Sequence, residues 1–163
     1  MTVSGGGMRE RALEFISVCS DPKKLEQMIR NARKQGEAEV EQAAMRRLYD
    51  VKPEAQPGTL EHDVWRSILA LEGALTGERG RTTLLSRTRQ KIKEVREAAT
   101  VADLILKKTR SEGFHMLIER DWPELTFEAV ALRHSDQFDE EVRTPAEQRL
   151  AGAGVDLRAR PTG

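Results

Sequence analysis

The sequence predicts an all-α protein, a multi-helix bundle of about eight helices with an N-terminal helical hairpin unit. Three observations support this class. Good helix formers, namely Ala, Leu, Glu, Arg, Lys and Gln, dominate the 163 residues. Only 4% of the residues are aromatic, which leaves little for a β-sandwich core, and no apolar stretch alternates with a period of two. Apolar residues instead recur at spacings of three and four.

The N-terminal part of the chain is predicted to hold a tail, three helices and a linker. Residues 1–7 contain three consecutive glycines and are expected to be a disordered tail. A unit over 8–50 follows, with a first helix to residue 18 and then a hairpin of two helices. Ser20 or Asp21 can cap the start of this hairpin, and Pro22 fits its first helical turn. Residues 51–58 hold two prolines and a glycine and are the predicted linker.

The region 59–152 is the predicted helical bundle, and 153–163 is expected to be a mobile tail. Thr59 is the predicted cap of its long first helix, and a capping box that opens with Thr144 is predicted to start its last one. Gly77 and Gly80 are expected to end the first helix. The predicted bundle helices cover residues 60–76, 82–98, 100–108, 111 onward, 126–133 and 144–150.

The bundle core is expected to form from the apolar stripes of these helices. The predicted core residues are Leu60, Val64, Ile68, Leu71, Leu75, Leu85, Ile92, Val95, Leu104, Phe114, Leu117, Phe127 and Val130.

Composition excludes several classes of protein. The chain carries 27 basic and 27 acidic residues, and a net charge of zero argues against a uniformly basic nucleic-acid coat protein. No apolar run reaches the ~18 residues of a membrane-spanning helix, and the N-terminus has no apolar signal region, so no membrane partner is expected. Cys19 is the only cysteine, so no intrachain disulfide can form. A cytoplasmic, bacterial-type protein is the expectation.

Signals for enzyme chemistry are weak. No HExxH or P-loop pattern occurs, and the three histidines are widely spaced. Glu61, His62 and Asp63 are consecutive, but adjacent helical residues point about 100° apart, which favours a solvated helix start over a metal site. The sequence therefore indicates no catalytic residue, metal or cofactor. It favours a non-enzymatic protein and leaves enzymatic activity open.

Charge is distributed unevenly along the chain. Residues 81–120 hold 10 basic and 5 acidic side chains, whereas residues 121–163 hold 5 and 9. The neutral total therefore conceals a basic middle and an acidic end. Charge runs of this kind are usually solvated helix faces, and the two blocks could pair with each other within the chain.

The segment 77–96 concentrates the positive charge. Hydroxyl groups near its predicted helix start add hydrogen-bond donors, and a helix start with arginines suits contact with phosphate. Duplex DNA is favoured over a single strand, because Trp65 and Trp122 are not interleaved with the basic run. The predicted nucleic-acid-binding residues are Arg79, Arg81, Arg87, Arg89, Lys91, Lys93 and Arg96.

The leading hypothesis is thus a non-enzymatic DNA-associated protein, regulatory or accessory to DNA processing. Three short helices over 100–133 are compatible with a helix-turn-helix unit, in which Arg133 and His134 would be the side chains that reach bases. The alternative is a protein-interaction adaptor or a self-associating protein. It would use the hairpin at 22–50 and the acidic C-terminal third, including the stretch 136–147.

Overall fold

The computed structural model describes residues 5–107 and 112–156, and the regular structure of this part of the chain is entirely helical. The predicted all-α class is confirmed. Two single 3₁₀ turns, Pro123–Leu125 and Ser135–Gln137, separate the last helices. The α-helices are α1 (Gly5–Val18), α2 (Pro22–Gln35), α3 (Ala38–Val51), α4 (Leu60–Arg79), α5 (Ser86–Leu106), α6 (Glu112–Glu119), α7 (Phe127–Arg133) and α8 (Glu140–Gly152).

The chain divides into two compact units, Met1–Glu54 and Ala55–Gly163. The division falls inside the segment 51–58, where prolines and a glycine disfavour continued helix. Helix α1 begins at Gly5, within the segment predicted to be a tail, while residues 1–4 lie outside the described part.

The first unit is built on the α2–α3 hairpin with α1 packed against α3. The Asp21 carboxylate accepts a hydrogen bond from the Lys23 backbone N–H at 3.0 Å and so caps α2, as its sequence predicts. Gly36 ends α2 with a φ of 70°, a conformation that glycine adopts without strain. The apolar faces meet in a core of Ile16, Cys19, Leu25, Ile29, Ala32, Val40, Ala44 and Leu48.

The second unit is organised around α4, whose buried face runs along its whole length. The Thr59 hydroxyl accepts from the His62 backbone N–H at 3.2 Å, so the predicted cap is present. The helix passes through Gly77 and ends at Gly80, where φ is 69°. Gly77 alone does not stop a helix, because glycine costs only about 1 kcal/mol there.

Helix α5 differs from the sequence expectation. Two helices were expected over 82–98 and 100–108, and α5 does consist of two helical segments, but the first begins at Ser86 and the break lies earlier than predicted, at Arg96, where φ is 74° and ψ is 177°. Thr100 does not cap a helix start. It is buried, and its hydroxyl donates to the Arg96 carbonyl at 2.7 Å. Residues 108–111, which include the predicted start of the next helix, lie outside the described part.

The last helices close over the core of the second unit. Thr126 caps α7, with its hydroxyl accepting from the Ala129 N–H at 3.1 Å. The capping box predicted at Thr144 is wrong, because α8 begins one turn earlier at Glu140 and holds Pro145 inside it. The added turn buries Val142 against the core, which offsets the backbone hydrogen bond that proline cannot make.

The predicted core of the bundle is largely confirmed. Nine of its residues are buried, while Leu85, Leu104 and Phe127 are partly buried. Val95 is the error, with 43% of its surface exposed. The bend at Arg96 ends the stripe that Ile92 belongs to, so the buried face of the second half of α5 restarts at Glu97.

The C-terminal residues continue the packing for a short distance. Of the predicted tail 153–163, Ala153 and Val155 pack beside Phe114 and Leu150, and residues 157–163 lie outside the described part. Among the helices described, none has the length and apolar content that crossing a membrane requires.

Candidate functional site

The basic segment predicted to bind nucleic acid lies at the junction of α4 and α5. Arg79 is the last residue of α4, and Arg81 follows in the connecting loop. Arg87, Arg89, Lys91 and Lys93 lie on the first half of α5, and Arg96 lies at its bend. All seven residues therefore belong to one continuous stretch of the second unit, but their surroundings differ.

Arg89 faces into the unit. Its guanidinium forms a two-point ion pair with the Glu72 carboxylate, with N–O distances of 2.7 and 2.6 Å. It also lies 5.2 Å from the centre of the Trp65 ring, in cation–π range. The hydrogen bonds that Arg89 donates to Glu72 raise the pKa of Arg89 against the opposing effect of burial. Arg89 is thus a structural residue, and its charge is already matched within the unit.

The same Glu72 carboxylate holds the connecting loop. Oε2 of Glu72, which also accepts from Arg89, accepts from the Leu85 backbone N–H at 2.8 Å, just before α5 begins. Thr83 supports the loop as well, because its N–H donates to the Thr76 hydroxyl at 3.0 Å and its own hydroxyl donates to the Arg81 carbonyl at 3.0 Å. Thr83 therefore lies in the loop, whereas the sequence predicts it to be on a helix that begins at residue 82.

Two further cations of the segment have acidic neighbours. The Lys91 ammonium lies 2.6 Å from the Asp103 carboxylate, and the Arg96 guanidinium lies 3.9 Å from Glu97. Both pairs are at least partly exposed, and pairs of this kind hold their partners weakly. Arg96 keeps 81% of its side chain accessible, so it can still meet another anion.

The other four cations are exposed and differ from Arg89 in having no ion-pair partner within residues 5–107 and 112–156. Gln90 and Glu94 lie between them on the open side of α5, joined by a 3.1 Å hydrogen bond. The exposed arc of α5 is therefore mixed at its centre and cationic on both flanks. These four exposed cations are Arg79, Arg81, Arg87 and Lys93.

The basic segment 79–96 and the acidic stretch 136–147 of the second unit form no ion pair with each other in the described part of the chain. The acids that meet the basic segment are Glu72, Glu97 and Asp103, which all precede residue 121. The acidic side chains at 136–147 form no ion pair with residues 79–96 in the described ranges. The acidic side chains of the stretch 136–147 are therefore exposed and not matched by the basic segment.

A second charged cluster lies in the interior of the same unit and centres on Asp63. One of its carboxylate oxygens accepts from Arg66 at 2.9 Å. The other lies 3.1 Å from an Arg133 nitrogen and 2.7 Å from Nε2 of His134. Asp63 and its helix neighbour His62 are both buried, so the predicted solvated helix start is wrong. The helix start is covered because α7 brings Arg133 and His134 onto it.

The environment keeps Asp63 ionised. Burial acts to raise the pKa of Asp63, but the hydrogen bond with His134 and the charge of Arg133 outweigh it and hold the pKa below its ordinary value. Both carboxylate oxygens of Asp63 are engaged by side chains of the unit. The cluster fastens α4 to α7 and is structural.

This cluster also corrects the helix-turn-helix hypothesis. Arg133 and His134 were the side chains expected to reach bases, but they contact Asp63 instead. Every residue of α7 is buried or partly buried, so α7 has no open face to place in a DNA groove. The sequence pattern of three short helices could not reveal this, because it does not show which face each helix buries.

Other chemistry-bearing groups are sparse. In the described ranges, no three side chains of His, Cys, Asp or Glu lie together in a way that would hold a metal ion. Cys19 is buried in the first unit, where its thiol lies 3.7 Å from the Asp21 carbonyl oxygen.

Comparison of the chain with protein-family models, with curated proteins and with solved structures found no match.

Proposed function

We propose that this protein is a non-enzymatic DNA-associated protein, regulatory or accessory to DNA processing, that contacts the phosphates of duplex DNA. The observation that carries the proposal is the set of four exposed cations without ion-pair partners in the described chain: Arg79, Arg81, Arg87 and Lys93. Of the seven residues predicted to bind nucleic acid, Arg89 is assigned a structural role. Lys91 and Arg96 are assigned secondary roles, since each would exchange an acidic neighbour for a phosphate.

Backbone groups add to this surface. Helix α5 has no side-chain cap at its start, because Leu85 occupies the capping position. The positive end of the helix dipole therefore lies next to Arg87 and favours an anion there. Such contacts are to phosphate oxygens and carry no base sequence information.

The test is the salt dependence of binding to a short fluorescent DNA duplex, measured by anisotropy. If about four phosphates are neutralised, the logarithm of the binding constant falls with the logarithm of the salt concentration at a slope of about −3.6. The double variant Arg87→Glu/Lys93→Glu should lose two of these contacts, bind much more weakly and show a slope of about −1.8. Absence of binding at low salt, or a flat dependence on salt, would refute the proposal.

A matched control comes from the first unit. Lys23 and Lys24 are exposed, form no ion pair in the described chain and begin α2, as Arg87 begins α5. The variant Lys23→Glu/Lys24→Glu makes the same change in total charge, and we expect it to keep the wild-type slope. Equal losses in both double variants would indicate attraction by net charge without a defined surface.

The alternative function, protein–protein interaction or self-association, is favoured by a different observation. Met8, Phe15 and Val18 lie on one side of α1 and expose 70%, 45% and 76% of their surface. Large exposed apolar side chains in a row are typical of contact surfaces. Light scattering tests this candidate function. Self-association through these side chains requires the measured mass to rise with protein concentration, and this rise should be abolished by Phe15→Ser but not by added salt.

A further inference from the structure

A cavity of about 290 Å³ lies inside the second unit, away from the open side of α5. It is bounded by helices α4 to α8, and its walls are apolar, with Leu71, Leu75, Leu104 and Phe127 among them. Its volume lies at the lower end of the range for small-molecule pockets, which is roughly 300–1,000 Å³. At about 30 Å³ for each water-sized group, it holds roughly ten non-hydrogen atoms.

Among the lining residues that the structure describes, the charged groups carry both signs. Arg79 and Arg149 provide two positive charges, and Glu112 and Glu128 provide two negative charges. Glu128 is buried and already has interaction partners, and Arg149 donates to the Lys107 carbonyl at 2.7 Å. Arg79 and Glu112 are exposed at the rim, and neither forms an ion pair in the ranges that the structure describes.

We propose that this cavity binds a small zwitterion with an apolar body, of which a large apolar α-amino acid is the simplest example. The apolar side chain would lie against the leucines and Phe127, with the carboxylate at Arg79 and the ammonium group at Glu112. A simple anion would meet Glu112 and Glu128, and a simple cation would meet both arginines. A ligand that carries both charges matches the described part of the lining, and its nine to twelve non-hydrogen atoms agree with the roughly ten that the volume allows.

The close approach of α6 to α4 shapes this cavity. A Cβ atom at Gly113 would lie 2.6 Å from a methyl carbon of Leu71. Glycine therefore lets the start of α6, and Glu112 with it, come close to the wall that α4 provides. Gly113 thus positions Glu112, which supplies the acidic group.

The experiment is a titration of the full chain with three probes that share one apolar body, followed by NMR chemical shifts. The probes are L-phenylalanine, 3-phenylpropionate, which lacks the ammonium group, and phenethylamine, which lacks the carboxylate. We expect saturable shifts around Leu104 and Phe127, and a dissociation constant for phenylalanine that is about fivefold lower than for either analogue, since exposed ion pairs contribute modestly. Equal affinities for the three probes, shifts that map elsewhere or no saturable binding would overturn the proposal.

Two rim variants give the matched test. Arg79→Gln should weaken phenylalanine binding about fivefold and leave phenethylamine binding unchanged. Glu112→Gln should likewise weaken phenylalanine binding and leave 3-phenylpropionate binding unchanged. The control is Arg81→Gln, which removes an exposed positive charge two residues away that does not line the cavity. All three positions are exposed, so the variants should fold. Equal effects of Arg79→Gln and Arg81→Gln on phenylalanine binding would contradict the assignment.

Discussion

The ion-pair cluster at Asp63 gives the sharpest test of what holds the second unit together. In Asp63→Asn, the side chain keeps its shape but loses its negative charge. Arg66, whose side chain is only 7% exposed, would then lose its 2.9 Å ion pair with Asp63. Arg133 would lose its 3.1 Å ion pair to the same carboxylate.

The magnitude follows from the burial of these groups. Removing one partner of a buried ion pair costs about 3–5 kcal/mol, because the other charge remains uncompensated. The Asn side chain retains an acceptor oxygen, and Arg133 and His134 are partly accessible to solvent, so we expect the lower end, about 3 kcal/mol. A domain is stable by about 5–15 kcal/mol in total, so such a loss is easily measured.

The assay is urea unfolding followed by tryptophan fluorescence. Both tryptophans of the chain, Trp65 and Trp122, belong to the second unit, so the signal reports that unit alone. Asp136→Asn is the matched control, because Asp136 is exposed and its change should stay within about 0.5 kcal/mol. A cost for Asp63→Asn below about 1 kcal/mol at neutral pH would refute the structural role of the cluster.

The difference in stability between wild type and Asp63→Asn should depend on pH. The pKa of Asp63 is lowered from 3.8 in the folded state, so the unfolded state binds the proton more readily. Its stabilising contribution is therefore complete above pH values near 3.8 and is lost as the pH falls through the folded pKa. The difference in stability between wild type and Asp63→Asn should shrink as the pH falls below 4. A difference that grows as the pH falls below 4 would contradict the direction of the shift.

Two further predictions concern α5. Glu72→Gln removes the charge that Arg89 pairs with and weakens the hydrogen bond from the Leu85 N–H. We expect the free energy of unfolding in urea to fall by about 2–3 kcal/mol and the Trp65 emission to change. An unchanged unfolding midpoint would contradict the role of this carboxylate. Arg96→Gly relieves a left-handed backbone conformation and should stabilise the unit by about 1 kcal/mol. Arg87→Gly, at a regular helical position, should instead cost about 1 kcal/mol, and equal effects of the two glycines would argue against strain at Arg96.

Much of the helical framework could be predicted because it depends on neighbouring residues. Asp21 with Pro22, Thr59 and Thr126 all lie at the helix starts that they predicted, since a cap acts within one turn of its own helix. Apolar spacing likewise identified most of the buried residues of α4. Thr144 shows the limit of such local patterns, because its capping box lies inside α8, where burial of Val142 favours one more turn.

The roles of the residues in the candidate site could not be predicted from the sequence, as the basic segment shows. Seven cations within 79–96 look equivalent in the sequence, yet Arg89 is committed to Glu72, which lies 17 residues earlier. The partner of a charged side chain depends on which helices are adjacent. The sequence therefore located the charge, whereas the packing of α5 on α4 separates a structural arginine from the exposed ones.

The local sequence thus accounts for the all-helical class, most of the helix limits and the apolar faces, because propensity, capping and periodicity act over a few residues. The packing of distant segments accounts for the cluster that joins Asp63 to α7 and for the cavity bounded by helices α4 to α8. Contacts of this kind join residues up to 71 positions apart, as Asp63 and His134 are. Their geometry follows from how whole helix faces pack together, which no short pattern contains.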